Sequence, residues 1–290
     1  MRHFRTIAVG GCFLAALVAG TMSDRPKASV SREIGGYHVL SADLHVHSFP
    51  ISWSTLSAWD TVLEARHQGL DAIVMTPHNH VWVAKLGRWF SHIIGGPLVL
   101  VGEELTSSRY HMIAVGISTA VSSRQPAARA IDDVHRQGGI AIAAHPYAPF
   151  QPAYDAEAMQ RLDGSEVVRP ESQHDDRAAS ELREFFERSP RLAAIGATDY
   201  HGLGPLGYSR TYIFARERTE QGVIDAVRER RTVAYDRDGV YGDRDMLALA
   251  SANGGLPHDA PDLPIFAGLA VFSRIAALIA LSAAVLFNRW

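Results

Sequence analysis

Cysteine is all but absent from this chain: Cys12 is the only one, so no intrachain disulfide can form and a thiolate-rich metal site is excluded. Any metal must be held by imidazole and carboxylate. An excess of charge of either sign is also missing. Lys and Arg number 28 against 31 Asp and Glu, a formal net charge of −3. That balance offers no basic surplus to a phosphate backbone and gives no support to nucleic-acid binding, so a small-molecule substrate is expected. There is no Gly-x-Ser-x-Gly elbow and no Walker loop, which removes the serine-hydrolase and phosphate-cradling readings. Compositional bias is absent too. With 47% hydrophobic and 20% charged residues over 290 positions, the chain has the make-up of a globular protein large enough for one sizeable core.

The two ends carry long apolar runs. Residues 6–22, TIAVGGCFLAALVAGTM, follow Arg2 and Arg5 in the layout of a signal peptide, and they suit either cleavage near Val18-Ala19-Gly20 or retention as a short anchor. From Pro264 to Phe287 the only charge is Arg274, which predicts a transmembrane helix; the alternative is an amphipathic helix lying flat on a surface. Asp259 and Asp262 precede that run and Arg289 follows it. The positive-inside tendency then predicts an exported, membrane-anchored protein with its catalytic domain on the extracytoplasmic side. The expected layout is a signal peptide or anchor (1–22), one domain (37–236), an irregular tether (237–263) rich in Gly, Pro and acids, and the apolar helix (264–287).

Between the ends, short β-rich runs alternate with helical stretches. The strand-like runs are 38–47, 71–76, 98–105, 110–117, 140–145, 165–170, 192–201 and 208–215, most of them continuously apolar as buried strands require. Helical candidates include Thr55–Gln68, Ala127–Gln137 and Asp175–Arg188, the first two stopped by Gly69 and by Gly138-Gly139. Repeated strand–helix units of this number predict a barrel or a doubly wound sheet.

Several of these buried runs end in a metal-binding residue type: His45 and His47, His78, Glu104, His145, then Asp199 and His201. Alternate strand residues share a face, so Asp43, His45 and His47 are expected to point one way, as are Asp199 and His201. Strand ends of a parallel barrel open on one rim, where residues distant in sequence converge. His111, shortly after Glu104, joins from a neighbouring strand. Asp43 reads as a carboxylate that orients a ligating histidine. Glu103 and Glu104 point opposite ways, so only one faces the ions. His67 and His135 lie just before helix-stopping glycines and read as ordinary helix-end residues.

The segments DLHVHS, TPHNH, GEELTS, AAHPY and ATDYHG, in this order and spacing over about residues 37–236, resemble the PHP (polymerase and histidinol phosphatase) superfamily. GEELTS followed by HMIAVG is most similar to its stand-alone, carbaryl-hydrolase-like branch. The resemblance implies an α/β fold, a distorted (β/α)7 barrel, with two or three divalent ions (zinc, manganese or iron) at its rim. It also implies that His45, His47 and Asp199 hold one ion, that Glu104 bridges it to a second held by His111 and His145, and that His78 and His201 belong to a third. The chain departs from the family pattern in two places. Thr76-Pro77-His78 stands where the family commonly has Thr-Asp-His, and Ser48–Ser54 lacks a strong ligand, leaving the third site weak, empty or completed by His80.

The expected function is that of a metal-dependent hydrolase, foremost a phosphoesterase. Such ions lower the pKa of bound water towards about 7, so that a metal-bridging hydroxide serves as the nucleophile. Asp199 is the expected proton acceptor and Arg210 the candidate clamp on a substrate phosphate. A carbamate, amide or ester hydrolase on the same site, and a metal-depleted binding module, are the alternatives. Sequence leaves the oligomeric state open.

Overall fold

The structure is a computed structural model that describes residues 8–12, 14–16, 32–170, 175–202, 205–236, 239–256, 275–276 and 279. The chain divides into two compact units, Ala28–Pro261 on the one hand and Met1–Lys27 with Asp262–Trp290 on the other. In the second unit the described residues are helical. The first unit carries everything that follows.

Its elements run β1 (Arg32–Ile34), β2 (Tyr37–Val46), α1 (Ala58–His67), β3 (Ala72–Met75), α2 (Trp82–Ile94), β4 (Leu98–Thr106), β5 (His111–Val115), α3 (Ala127–Arg136), β6 (Ile140–Ala143), α4 (Ala156–Arg161), β7 (Gly164–Val168), α5 (Asp176–Glu187), β8 (Ala193–Gly196), β9 (Arg210–Ala215), α6 (Glu220–Arg228), β10 (Thr232–Asp236), β11 (Gly239–Gly242) and α7 (Arg244–Ala252). The strands form one eleven-stranded sheet in the order β11-β10-β9-β2-β3-β4-β5-β6-β7-β8, with β1 on β2. β2, β3 and β4 are mutually parallel, as are β6, β7 and β8. β5 runs antiparallel between the two sets, β9 antiparallel beside β2, and β10 antiparallel beside β9.

The sheet curls until its far edge meets β2 again. Beyond β8, Tyr200 forms a parallel bridge with Val46: the His47 amide donates to the Tyr200 carbonyl at 2.9 Å and the Tyr200 amide to the His45 carbonyl at 3.2 Å. The result is the expected distorted α/β barrel. Its interior is filled by alternate residues of the strands, among them Leu40, Ala42, Leu44, Leu100, Ile113, Ile142 and Ile195. α6 contributes Val223, Ile224 and Val227 to this cluster. A second apolar cluster packs α3, α4 and α5 against the outer face of β5 and β6.

Helix starts follow local side-chain chemistry. Ser57, Asp175, Thr219 and Asp243 each accept a hydrogen bond from a first-turn amide of α1, α5, α6 and α7.

Two expectations need correction. Residues 239–252 are no irregular tether: β11 pairs with β10, and α7 lays Met246, Leu247, Leu249 and Ala250 against Tyr212, Phe214 and Val233. The expected signal and transmembrane segments are likewise not supported. Among the described residues no helix is long and apolar enough to cross a membrane. Apart from 8–12, 14–16, 275–276 and 279, the runs 1–22 and 264–287 lie outside the described residues.

Candidate metal centre

The rim at the ends of β2, β3, β4, β6 and β8 collects the polar residues that close the apolar runs. β5 enters the rim by its start, because it runs antiparallel: Thr106 at the end of β4 pairs with His111 at the start of β5. In β4 and β8 the phase is plain. Leu100 lies in the barrel interior two positions below Gly102 and four below Glu104, and Ala193, Ile195 and Ala197 lead up to Asp199 in the same way. Glu104 and Asp199 therefore cap the interior, and Glu103 faces outwards.

In β2 the pairing register with β3 shifts between Asp43 and Val46. Leu40, Ala42 and Leu44 face the interior below the shift. Above it the His45 and His47 rings enter the site with their Nε2 atoms 3.0 Å apart. Asp43 does not follow them. Its carboxylate accepts from the Thr198 hydroxyl (2.5 Å) and from the Thr198, Gly207 and His45 amides. Burial, against these hydrogen bonds, pushes its pKa up to about 6. Asp43 thus fastens β2 to the segment after β8 and orients no imidazole ring, which corrects its expected role.

Eight side chains converge at this rim. They form four overlapping groups whose ligand atoms lie within 4.8 Å of one another: His45, His47 and Glu104; His45, His145 and Asp199; Glu104, His111 and His145; and His47, His78 and His201. Glu104 sits among them. Its Oε1 lies 2.8 Å from His111 Nδ1 and 3.0 Å from His145 Nε2, and its Oε2 lies 2.8 Å from His78 Nδ1 and 3.5 Å from His47 Nε2. One carboxylate thereby faces imidazoles of all four groups. Asp199 Oδ1 lies 2.9 Å from His47 Nε2 and 3.2 Å from His45 Nε2. His80 is exposed and, among the described residues, bonds only to the His78 carbonyl and enters none of these groups.

The donor set fits divalent ions. Asp199 Oδ1 is buried with no hydrogen-bond partner, although two imidazole nitrogens face it. His45 Nδ1 is held by Glu166 Oε1 at 2.7 Å and His47 Nδ1 by the Ser52 hydroxyl at 2.9 Å. A proton on each Nδ1 turns the Nε2 lone pairs of both rings towards that oxygen, the arrangement of imidazoles around a cation.

The electrostatics of the cluster follow from its burial and from its opposed charges. Burial alone would depress the pKa of His45, but the carboxylates of Asp199, Glu166 and Glu104 overcome it and hold it well above the ordinary value. Burial favours the neutral forms of Glu104 and Asp199 as well. Glu104 is nevertheless kept far below the carboxylate range by His45, His111 and His145, and Asp199 by His45, His47 and Arg169. Burial drives His47 down to about 4, against the pull of Asp199. The pocket therefore holds ionised carboxylates and a neutral His47 ready to ligate.

Backbone strain marks the same place. Among the described residues four that are not glycine have positive φ, and three of them are here: His145 (φ 28°), Asp199 (φ 50°) and the adjacent Asn79 (φ 53°); the fourth is Arg230 (φ 58°), after α6.

Sequence reasoning missed Glu166 and Arg169. Glu166, on the interior face of β7 opposite Ile195, holds His45 through Oε1 and accepts the His145 amide through Oε2 at 2.7 Å. Arg169, just past β7, donates from Nη2 to Asp199 Oδ2 at 2.6 Å. The signal was an acid buried in a strand-like run, SEVVRP, of the kind recognised in GEEL. Of the two oxygens of Asp199, the residue expected to accept the proton, one is engaged by Arg169 and the other faces the imidazoles.

Arg210 is not brought to the site. On β9 the interior positions are Ile213 and Ala215, so Arg210 shares the outward face with Tyr212 and Phe214. There its guanidinium donates to the Gly207 carbonyl at 2.7 Å and to the Ser41 hydroxyl at 3.1 Å. Strand alternation removes it as a phosphate clamp.

No family model matches the chain. An uncharacterized protein of Methanocaldococcus jannaschii is 27% identical over 146 residues, which cover 44% of this chain and 81% of that protein. Among solved structures, a two-domain protein of Bacteroides vulgatus, described as containing a predicted PHP-like metal-dependent phosphoesterase, superposes with a TM-score of 0.62 at 24% identity, over 78% of this chain and 73% of the other. A putative metal-dependent phosphoesterase of Bifidobacterium adolescentis gives a TM-score of 0.43 at 19% identity, over 56% and 87%. The chain therefore has the fold of the Bacteroides vulgatus protein, a PHP-type distorted barrel, and its rim bears a cluster of imidazoles and carboxylates able to hold divalent metal.

Proposed function

We propose that this protein is a metal-dependent phosphoesterase of the PHP superfamily, acting on a small phosphate ester with two or three ions of zinc, manganese or iron. The observation that carries the reading is Glu104, whose two oxygens face imidazoles of separate ligand groups. The fold it shares with a protein described as PHP-like and phosphoesterase-containing supports it.

In this reading His45, His47 and Asp199 would hold one ion and His111 and His145 a second, with Glu104 a ligand available to both. His78 and His201, with His47 beside them, make up the third position. Bound there, the ions would polarise a phosphoryl oxygen and lower the pKa of water near neutrality.

The protein's own groups do the positioning. Glu166 and Ser52 fix the ring orientations of His45 and His47, and Thr106 holds His78 Nδ1 through its hydroxyl at 2.8 Å. Arg169 leaves Asp199 one free oxygen for the centre. His45, His47 and Glu104 are buried, so solvent does not compete at the inner groups.

The test is hydrolysis of p-nitrophenyl phosphate and bis-p-nitrophenyl phosphate by the chain loaded with manganese or zinc. Turnover that stops on chelation and returns with metal is expected. Turnover of p-nitrophenyl acetate or a carbamate, with both phosphate esters untouched, would overturn the proposal.

A further inference from the structure

A cavity of about 780 Å³ opens directly beside the metal centre. Two of its lining residues belong to both places. Thr106 bonds His78 Nδ1 and donates to Glu104 Oε2 at 3.3 Å. Asn79 grips Thr106 through two hydrogen bonds of 3.1 Å, its amide donating to the Thr106 carbonyl and its oxygen accepting from the Thr106 amide. The cavity thus adjoins the centre on the side of Thr106.

The outer wall is positively charged. Arg109 and Arg124 line it, and no carboxylate does so among the described residues. Arg109 is held across the two loops of the wall, with Nη2 donating to the carbonyls of Arg124 (3.4 Å) and Gln125 (3.2 Å). The opposite loop is fixed at its base, where the Val121 amide donates to buried Glu103 at 2.5 Å and the Tyr110 hydroxyl to the Gln125 carbonyl at 3.1 Å. Two guanidiniums in a supported wall, with hydroxyls between them, suit an anion that accepts several hydrogen bonds.

We propose that this cavity is the leaving-group subsite and that it selects esters whose leaving group carries a second anionic group, a phosphate or a carboxylate, bound by Arg109 and Arg124. This rests on the phosphoesterase reading and narrows its substrate class.

Both arginines are exposed, so solvent weakens each contact, and the pair is expected to contribute about ten-fold in affinity. The test uses calorimetric titration of the metal-loaded protein with phenylphosphonate, 4-phosphonobenzoate and benzene-1,4-bisphosphonate. These cannot be turned over, so binding is read apart from catalysis. The bisphosphonate should bind about ten-fold more tightly than phenylphosphonate, with that ratio falling to about one in the Arg109→Gln, Arg124→Gln double variant. A gain shared by 4-phosphonobenzoate makes the second anion either group; a gain for the bisphosphonate alone makes it a phosphate. Equal binding of all three, or an unchanged ratio in the double variant, overturns the subsite whatever the protein hydrolyses. Failure to hydrolyse any phosphate ester would sink the phosphoesterase reading instead.

Discussion

The guanidinium of Arg169 donates from Nη2 to Asp199 Oδ2 at 2.6 Å, while Asp199 Oδ1 faces His45 and His47 without a hydrogen bond. The two oxygens of one carboxylate are thus divided between a fixed cation and the proposed metal position. That division makes Arg169 a positioning residue.

Removing it should disturb geometry more than occupancy. Arg169→Ala is expected to lower kcat by about 10- to 100-fold with the ion content nearly unchanged, and Arg169→Lys to restore part of the loss. Equal kcat in the Ala variant and the wild type, at equal ion content, would remove the assignment.

Glu166 acts through His45. Glu166→Gln keeps the shape of the side chain but takes the charge away from His45 Nδ1, and it should weaken metal affinity by about 10- to 100-fold, read by competition with a chelator. An unaltered affinity would mean that His45 needs no such support.

Glu103 and Glu104 are neighbours with opposite fates. Glu104→Gln should lower the ion content of the centre, and Glu103→Gln should not, because Glu103 faces outwards and, among the described residues, holds only the Val121 amide. Burial raises the pKa of Glu103 from an ordinary 4.5 to about 7. Between those values the folded chain binds more protons at this site than the unfolded one, so the contribution of Glu103 to stability falls as pH rises through the window. The Glu103→Gln variant should therefore gain on the wild type from pH 4.5 to pH 7 and run parallel to it below, in denaturant unfolding followed in chelator. A pH-independent difference, or equal metal loss in both variants, would contradict the two placements.

Arg210 offers a contrast between stability and binding. Arg210→Ala leaves the Gly207 carbonyl and the Ser41 hydroxyl without their buried donor, which should cost about 1–3 kcal/mol of stability. The KM of the folded variant should match the wild type. A raised KM at unaltered stability would return Arg210 to the substrate.

Much of the site was legible because each ligand closes an apolar run. His45, His47, His78, Glu104, His145, Asp199 and His201 interrupt or end sequences that otherwise read as buried strand, and the barrel rim follows from the repeated strand–helix pattern. What was not legible depended on phase. The register shift after Asp43 and the outward face of Arg210 decide which side of a strand a residue takes, and a one-residue change reverses it. Glu166 escaped because it lies inside its run and Arg169 because arginine is no metal ligand; both act through residues of the cluster, Glu166 through His45 and His145 and Arg169 through Asp199. In 239–252 the glycines and acids hid a strand and a helix that Asp243 caps, although Met246, Leu247 and Leu249 supplied the apolar face.

The proposed chemistry requires that this rim hold metal. The direct measurement is the ion content per chain, by elemental mass spectrometry, after the purified protein is loaded with manganese or zinc and freed of excess. About two or more ions per chain are expected, falling in Glu104→Gln, since the carboxylate between the inner groups should support both. Fewer than about one ion per chain, or a content that Glu104→Gln leaves unchanged, would contradict it.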